Sequence, residues 1–468
     1  MDGTIADTAA AARAGTVAGH ARALLALTLP LAATSLSEMA MGLTDTVLLG
    51  GIGTDALAAG SLGGTLFFVS GASLQGIVGA SGVLIAQARG AGRPERIPAL
   101  YGTAILLGLL LAVPVFVLAS LAEPLLLRLG EPPRLAHDIG IYLGILRWGA
   151  FPFLSGLGAM RAVLPAIDQA GLLLRVTPLM AVANGLLNWA LIHGLSFGGH
   201  RLLPPLGLRG SALATTLTLF VVPVVLFALL HADPRRGVLV RSPRIGRAEL
   251  GHTWRLGAPI GLTVAAEAFL FAVAGLAAGT MGADALAAHQ IALNIGAFTF
   301  MVPMALGQAA NVRTGLATGA RDATALRRAG FTAMALAAAI MAAIGLALFL
   351  LPHLIVSAFL DPDSAADAGA FRLAVALLGI AALWQVVDGV QTTAIGALRG
   401  TGDTRVPMLL AQIGYWLIGF PLGILFGFVL HGGVVGLWIA LATALASVAV
   451  MMTLRFRVVS RRPLRVVP

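Results

Sequence analysis

Four acidic side chains lie inside long apolar stretches of this sequence, where a charged group is rare and informative. Glu38 and Asp45 lie in the first stretch, Glu267 in the seventh and Asp388 in the tenth. A carboxylate in hydrocarbon costs ~2.5 kcal/mol or more, so each should face a protein interior or a water-filled cavity. Such acids are suited to binding and releasing a cation or a proton. The alternative for each is a structural hydrogen bond between helices.

The stretches that carry these acids belong to an internal sequence repeat. Residues that match at a constant spacing of 229 positions are Pro30 and Pro259, Glu38 and Glu267, and Asp55 and Asp284. Two later matches pair residues 158–161 (GAMR) with 396–399 (GALR), and Gly207, Gly210 and Ala214 with Gly433, Gly436 and Ala440. This self-similarity indicates a duplicated unit, so the sequence predicts two related halves.

Composition indicates the medium in which the chain folds. With 58% hydrophobic and 11% charged residues, the 468-residue chain is too apolar for an ordinary water-soluble globule. Cysteine is absent, which excludes disulfides, thiolate metal sites and cysteine nucleophiles. All 30 basic residues are arginines, and they lie between apolar stretches rather than on one polar face. The net charge of +10 therefore favours a membrane protein over a nucleic-acid-binding protein.

Twelve apolar stretches are long enough to cross ~30 Å of hydrocarbon, six in each half. They fall near residues 23–50, 57–86, 98–124, 138–163, 175–195, 205–231, 253–280, 283–313, 327–352, 370–397, 406–430 and 433–456. The sequence predicts an all-α integral membrane protein with twelve transmembrane helices in two pseudo-symmetric six-helix bundles. We expect an N-lobe at residues 1–231, a cytoplasmic linker at 232–252, and a C-lobe at 253–468 that ends in a basic cytoplasmic tail.

The distribution of arginine predicts the orientation. The two ends of the chain and the connections after every second span hold 24 of the 30 arginines. Positive residues accumulate on the cytoplasmic side, so both termini are expected there. Arg161 and Arg399 close the fourth and tenth spans on this side, where an interfacial anchor is the expected role.

Further polar side chains lie near the acids. Asn184 and Asn188 are one turn apart on the fifth span, and the topology allows Asn188 to meet Asp45. Interhelical hydrogen bonding would also explain both asparagines.

Three aromatic or amide positions in the second half are ambiguous. His289 and Gln290 open the eighth span, where a lone histidine is typical of packing or an interface. Trp384 lies one turn before Asp388 and suits either a cavity wall or the core.

No catalytic motif is present, and we expect no enzyme. The glycine-rich stretches have no P-loop lysine, which excludes ATP hydrolysis by this chain. The nine histidines form no HExxH pair.

Four segments together resemble the multidrug and toxic compound extrusion (MATE) family, and within it the bacterial NorM-like and DinF-like exporters. They are residues 41–46 (MGLTDT), 285–290 (ALAAHQ), 396–404 (GALRGTGDT) and 415–421 (YWLIGFP). The similarity extends over about residues 23 to 456, and the combination is specific although each segment alone is weak. The resemblance implies two six-helix bundles around a central cavity. It also implies a secondary-active antiporter that exports organic, often cationic, compounds in exchange for Na⁺ or H⁺ by alternating access.

The resemblance also implies roles for the acids. Glu267 and Asp388 match the cation site of the second lobe, where they would bind Na⁺ or a proton, and Asp45 matches the first-lobe acid. Some archaeal-type members have an aspartate where this chain has Asn188, which favours the second lobe as the coupling site. Candidates for lining the cavity or contacting the substrate are Asn184, Asn188, Glu38, Trp384, His289 and Gln290, with Glu38 outside the family pattern.

The same resemblance sets the remaining expectations and their alternatives. We expect a multi-pass protein of the bacterial inner membrane, with no cofactor beyond the coupling ion. Its partners should be small organic substrates and membrane lipid but no nucleic acid, and we expect a monomer while a dimer stays open. One alternative is a lipid-linked precursor flippase, for which Arg147 is the candidate cavity arginine. Others are a non-transporting membrane scaffold and an intramembrane enzyme.

Overall fold

The computed structural model describes residues 16–197, 200–232 and 244–463, most of which are helical. The helices of the first half are α1 (Val17–Gly50), α2 (Thr54–Gly90), α3 (Ile97–Ser120), α4 (Ala122–Arg128), α5 (Pro133–Leu146), α6 (Ala159–Ala166), α7 (Ala170–His193) and α8 (Leu208–Ala232). Those of the second half are α9 (Arg247–Thr280), α10 (Ala283–Gly319), α11 (Ala323–Leu350), α12 (Pro352–Val356), α13 (Ala368–Gly400), α14 (Arg405–Gln412), α15 (Phe420–Ile424) and α16 (Gly433–Val459).

The helices have the length and apolar character of membrane spans. Eleven helical segments among the described residues are long and apolar enough to cross a membrane. A further pair, Pro133–Gly149 and Pro152–Ala166, passes the same test together but is bent by 40°. The predicted helical membrane fold is confirmed. The number of spans is twelve if the bent pair is counted as one span. The bend coincides with Pro152, which cannot donate a backbone hydrogen bond, and with the π-helical turn Pro152–Gly158.

A small hairpin between α7 and α8 departs from the all-helical expectation. Strands β1 (Leu195–Phe197) and β2 (His200–Leu203) pair in antiparallel fashion. Gly194 precedes β1 with a φ of 78°, which glycine adopts without strain. Strands this short contain too few residues for an alternating sequence pattern to indicate them.

Proximity of Cα atoms divides the chain into two compact units. The first-half unit comprises Ala33–Ala88 and Arg93–Gly261. The second-half unit comprises the described residues up to Ala32, Arg89–Gly92 and the residues from Leu262 onwards. The lobe boundaries at 231 and 253 stay a prediction, and residues 233–243 of the predicted linker lie outside the described residues.

The two leading helices of the repeat, α1 and α9, each contribute to both units. The change of unit follows Ala32 in α1 and Gly261 in α9. Each change comes two residues after a proline inside the helix, Pro30 or Pro259. Because proline has no backbone N–H, each leading helix lacks one helical hydrogen-bond donor near this point.

Within the second-half unit, α13 packs against α10 backbone to backbone. A side chain on Gly396 would collide with the backbone of Gly307, and one on Gly400 would collide with the carbonyl oxygen of Asn311. Small residues allow membrane helices to approach this closely and gain van der Waals contact. The packing fixes the position of α13, the helix that carries Asp388.

Candidate functional site

Asp45 of α1 lies in the first-half unit and is 9% exposed. Its carboxylate accepts one hydrogen bond at Oδ1 from Nδ2 of Asn188. It accepts another at Oδ2 from Oγ1 of Thr215, at 2.9 Å. The donors come from α7 and α8, so three helices meet at one carboxylate. The contact expected between Asp45 and Asn188 is present, and the contact of Thr215 with Asp45 was not predicted from the sequence.

Two asparagine side chains on one face of α7 have an unpaired oxygen. Asn184 donates from Nδ2 to Oγ1 of Thr218 at 2.9 Å. The Oδ1 atoms of Asn184 and Asn188 are both buried without a partner among the described residues. A buried polar atom without a partner costs ~1–3 kcal/mol and is uncommon. With the carboxylate of Asp45, these oxygens are ligands of the type that a hard cation prefers.

Glu38 lies two turns before Asp45 on α1, and its carboxylate forms an ion pair with Arg161 of α6. Nη1 of Arg161 donates to Oε2 of Glu38, and Nη2 donates to Oγ of Ser35 at 3.1 Å. The side chain of Arg161 is only 10% exposed. The expected role of Arg161 as an interfacial anchor therefore gives way to an ion pair inside the first-half unit.

Glu267 of α9 lies in the second-half unit beside Gln391 and Tyr415. Nε2 of Gln391 donates to Oε1 of Glu267 at 3.3 Å and to the hydroxyl oxygen of Tyr415 at 2.7 Å. The Tyr415 hydroxyl also lies beside the carboxylate of Glu267. Gln391 comes from α13, and Tyr415 comes from the π-helical turn Ile413–Gly419. Neither was a site candidate on sequence alone, although Tyr415 belongs to one of the four family-like segments.

Asp388 of α13 lies near Glu267. It is 6% exposed, and the two carboxylates are close enough to repel each other when both are charged. Oδ1 of Asp388 is buried and has no partner within the described part of the chain. The indole N–H of Trp384 approaches the same carboxylate. A bound cation or a shared proton would remove the repulsion, so this pair is suited to holding one positive charge.

The ligands available to a metal ion at this pair are few. No group of three or more His, Asp or Glu side chains that could hold a metal ion occurs in the described ranges. Na⁺ at Glu267 and Asp388 would take further oxygen ligands from Tyr415 and from Gln391. Oε1 of Gln391 is buried and unpaired among the described residues, and rotation of the amide would turn this atom towards Glu267 in place of Nε2.

Trp384 and His289 belong to one aromatic cluster of the second-half unit. Trp384 stacks on Phe271 with 5.5 Å between ring centroids and lies 4.9 Å from the ring of Trp438. Trp438 donates from Nε1 to Nδ1 of His289 at 3.1 Å, so this imidazole carries its proton on Nε2. Gln290 is exposed and lies outside the cluster. Trp384 thus links the cluster to the acid pair, and Gln290 does not.

Arg147, the arginine on which the flippase alternative depends, packs against aromatic rings. Its guanidinium carbon lies 5.0 Å from the ring centroid of Phe116 and 5.9 Å from that of Trp148. Nη1 donates to Oγ of Ser120 at 3.0 Å. This environment is typical of an interfacial aromatic belt, and it gives no support to a lipid-phosphate site.

The second-half unit has an apolar crevice at the positions that correspond to the Asp45 site. Ala274 follows Asp45 by 229 positions and Leu441 follows Thr215 by 226, the spacings of the repeat. Both line a small, partly open crevice between α9, α15 and α16. The whole lining is apolar: Leu270, Val273, Ala274, Ala277, Gly419, Phe420, Gly423, Ile424, Phe428, Leu437, Ala440 and Leu441. The polar Asp45 site is therefore not repeated at these positions.

Comparison with protein families gives a match in both halves of the chain. A family model described as MatE matches residues 30–190 and 259–425. The probable multidrug resistance protein NorM of Burkholderia mallei is 49% identical over 448 residues, which cover 96% of this chain and 95% of that protein. The multidrug resistance protein NorM of Burkholderia vietnamiensis is 49% identical over 449 residues, which cover 96% of each chain.

Solved structures share the fold. The crystal structure of the eukaryotic MATE transporter AtDTX14 matches with a TM-score of 0.83 at 19% identity, covering 95% of this chain and 98% of that one. An outward-facing multidrug resistance MATE family transporter of the MOP superfamily also matches with a TM-score of 0.83, at 20% identity. That match covers 95% of this chain and 97% of the other. At such identities the likeness shows the fold alone.

Proposed function

We propose that this chain, which belongs to the MatE family, is a multidrug efflux antiporter that exchanges organic compounds for Na⁺ or H⁺. Its relatives from two Burkholderia species are named multidrug resistance protein NorM. Its helices have the length and composition of membrane spans. We place it in the bacterial inner membrane with both termini in the cytoplasm, because 24 of its 30 arginines lie on that predicted side.

The acid pair Glu267 and Asp388 carries this proposal. A structural role would be satisfied by hydrogen bonds alone, yet Oδ1 of Asp388 and Oε1 of Gln391 are buried without partners in the described part of the chain. Two carboxylates close together are destabilised unless a positive charge joins them. The pair is therefore a site for an exchangeable cation rather than a packing contact.

Exchange follows from competition for this charge. With Arg399 acting on Glu267, the acid pair keeps one net negative charge. A sodium ion, a proton or a cationic substrate can each neutralise that charge, but not at the same time. Loading the coupling cation therefore weakens the binding of a cationic substrate, which is released. Linkage makes the effect reciprocal, so the substrate weakens cation binding by the same factor.

Asp45 provides a second cation site, in the first-half unit. Its carboxylate and the unpaired Oδ1 atoms of Asn184 and Asn188 are oxygen ligands. Rotation of the Asn188 amide would present its Oδ1 to a cation at Asp45 in place of its Nδ2. This arrangement favours a hard cation such as Na⁺, because oxygen ligands replace the water that the ion loses.

Efflux from proteoliposomes tests the proposed function. Purified protein is reconstituted, loaded with a fluorescent organic cation, and exposed to a Na⁺ gradient or a pH gradient in separate experiments. Export should follow at least one gradient and stop when an ionophore dissipates it. The double variant Glu267→Gln/Asp388→Asn serves as the matched control, since it keeps side-chain shape and removes both charges. Export that proceeded equally without either gradient would overturn the antiporter proposal.

A further inference from the structure

Each half of the repeat brings a glutamate and an arginine together. Glu38 and Glu267 match at a spacing of 229 positions, and Arg161 and Arg399 match at a spacing of 238. Glu38 contacts Arg161 in the first-half unit, and Arg399 acts electrostatically on Glu267 in the second-half unit. A glutamate and an arginine thus form a pair in both units, although Arg161 lies on the short helix α6 and Arg399 on the long helix α13.

In the first-half unit, Glu38 and Arg161 are in direct contact and their charges cancel. One guanidinium nitrogen of Arg161 donates to Oε2 of Glu38, and another is held by Ser35. Arginine keeps its charge throughout the physiological pH range and is covalently part of the chain. Unlike Na⁺ or a proton, this counter-ion cannot leave Glu38 by dissociating into solution.

In the second-half unit the charges do not cancel. Glu267 accepts a hydrogen bond from Gln391 and lies beside the Tyr415 hydroxyl, and no hydrogen bond joins it to Arg399 among the described residues. Asp388 adds a second carboxylate near the same glutamate. Two carboxylates and one guanidinium leave one negative charge when all are ionised, which is enough for one monovalent cation.

We propose that Arg161 is a fixed counter-ion that keeps Glu38 out of cation exchange and limits the first-half unit to the single site at Asp45. Arg161 thereby sets the number of cations that the transporter exchanges. The inference rests on the proposed antiporter function. In this view Glu38, a residue outside the family pattern, would be a cation-binding carboxylate that Arg161 keeps occupied.

The geometry of Glu38 shows what removal of Arg161 would expose. Its Oε1 atom is buried and has no partner in the described ranges, so the ion pair balances the charge without saturating the carboxylate. The side chain as a whole is 28% exposed, so it is not sealed from a mobile ion. Without the guanidinium, Glu38 would be an unpaired carboxylate among apolar helices, and such a group gains from binding a cation.

Sodium binding to the purified protein tests the inference directly. Bound ²²Na⁺ per chain is counted at alkaline pH for the wild type, Arg161→Met, Arg161→Lys and the double variant Glu38→Gln/Arg161→Met. We expect Arg161→Met to bind one more Na⁺ per chain than the wild type. The double variant and Arg161→Lys should bind the wild-type number, because the first lacks the carboxylate and the second keeps a positive charge.

A thermal measurement on the same variants controls for folding. Na⁺ should raise the melting temperature of Arg161→Met more than that of the wild type or the double variant, since a ligand stabilises the state that binds it. Failure of Arg161→Met to fold in saturating Na⁺ would overturn the inference, because Na⁺ would then not replace the guanidinium. An unchanged sodium count, or an extra site that survives Glu38→Gln, would overturn it equally.

The proposed function and this inference fail in different experiments. Loss of gradient-driven efflux from wild-type proteoliposomes would contradict the antiporter function. An unchanged sodium count in Arg161→Met, with wild-type efflux still driven by a cation gradient, would contradict only the role of Arg161.

Discussion

The two halves of the repeat carry the same glutamate in different electrostatic surroundings. Glu38 is neutralised by direct contact with Arg161, whereas Glu267 lies near a second acid, Asp388. Gln391 donates to Glu267, so the second-half glutamate has a neutral donor where Glu38 has a charged one. The repeat carries the acid twice, and we propose that the neighbours of each copy decide whether its charge can bind a cation.

Two turns further along the leading helices, the first half has the acid and the second half has none. Asp45 of the first half has hydrogen-bonding partners in Asn188 and Thr215, whereas the corresponding Ala274 and Leu441 line an apolar crevice. Two helical turns separate the levels of Glu38 and Asp45, about 10 Å along the axis. Each unit thus keeps one uncompensated acid site, at a different level of the repeated helix.

The largest expected effect comes from removing the charges of the second-half site. Glu267→Gln combined with Asp388→Asn should lower cation-driven efflux by about 100-fold, towards the upper end of the usual coupling between sites. Both changes keep shape and hydrogen-bonding capacity, so expression and folding should be maintained. Efflux from proteoliposomes under the driving gradient measures the effect.

The matched control makes the same kind of change at the first-half glutamate. Glu38→Gln with Arg161→Met removes one negative and one positive charge, so the net charge of the first-half unit is unchanged. Its effect on efflux should be much smaller than that of the Glu267 and Asp388 variant. Equal losses in the two variants would remove the distinction between a free and a compensated glutamate.

A smaller effect is expected from Asp45→Asn. This variant removes the one uncompensated charge of the first-half site but leaves Glu267 and Asp388 intact, so efflux should fall by about 10-fold and not vanish. The ²²Na⁺ count should fall by one ion per chain if Na⁺ occupies the site. A sodium count and an efflux rate equal to those of the wild type would show that Asp45 only holds α7 and α8 in place.

Competition between substrate and cation should appear as a few-fold change in affinity. Titration of a fluorescent organic cation should give a higher Kd as Na⁺ or H⁺ concentration rises, and added substrate should weaken cation binding by the same factor. In the Glu267→Gln/Asp388→Asn variant this dependence should disappear. A Kd that did not change with either cation in the wild type would exclude direct competition at these acids.

The sequence predicts which acids lie among the packed helices better than it predicts their partners. Asp45, Glu267 and Asp388 can be identified because charge inside an apolar span is costly wherever the helix packs. The ion pair of Arg161 could not be foreseen, since that residue closes a span that is bent by 40° and contains a π-helical turn. Such a turn shifts the faces of the helix, so regular helical spacing gives the wrong neighbours.

The polar neutral partners were missed for a different reason. Thr215, Gln391 and Tyr415 are polar residues inside apolar spans. Residues of these types also occur in membrane helices where they only hydrogen-bond the backbone or pack against a neighbouring helix. Thr216, next to Thr215, illustrates this, because its hydroxyl donates to the carbonyl oxygen of Ala212 at 2.7 Å. The hydrogen bond from Thr215 to Asp45 of α1 distinguishes the two threonines, and it is visible only in the folded structure.

These two threonines also provide the smallest and most specific test. Thr215→Val removes the hydroxyl that donates to Oδ2 of Asp45, and Thr216→Val removes one that bonds only backbone carbonyls among the described residues. Both side chains are buried to a similar extent, 7% and 6% exposed, so packing changes are comparable. A lost hydrogen bond of about 1 kcal/mol corresponds to ~5-fold, which is the decrease in Na⁺ affinity expected for Thr215→Val. Thr216→Val should leave that affinity unchanged in ²²Na⁺ binding, so equal decreases in both variants would mean that the hydroxyl of Thr215 has no particular role at Asp45.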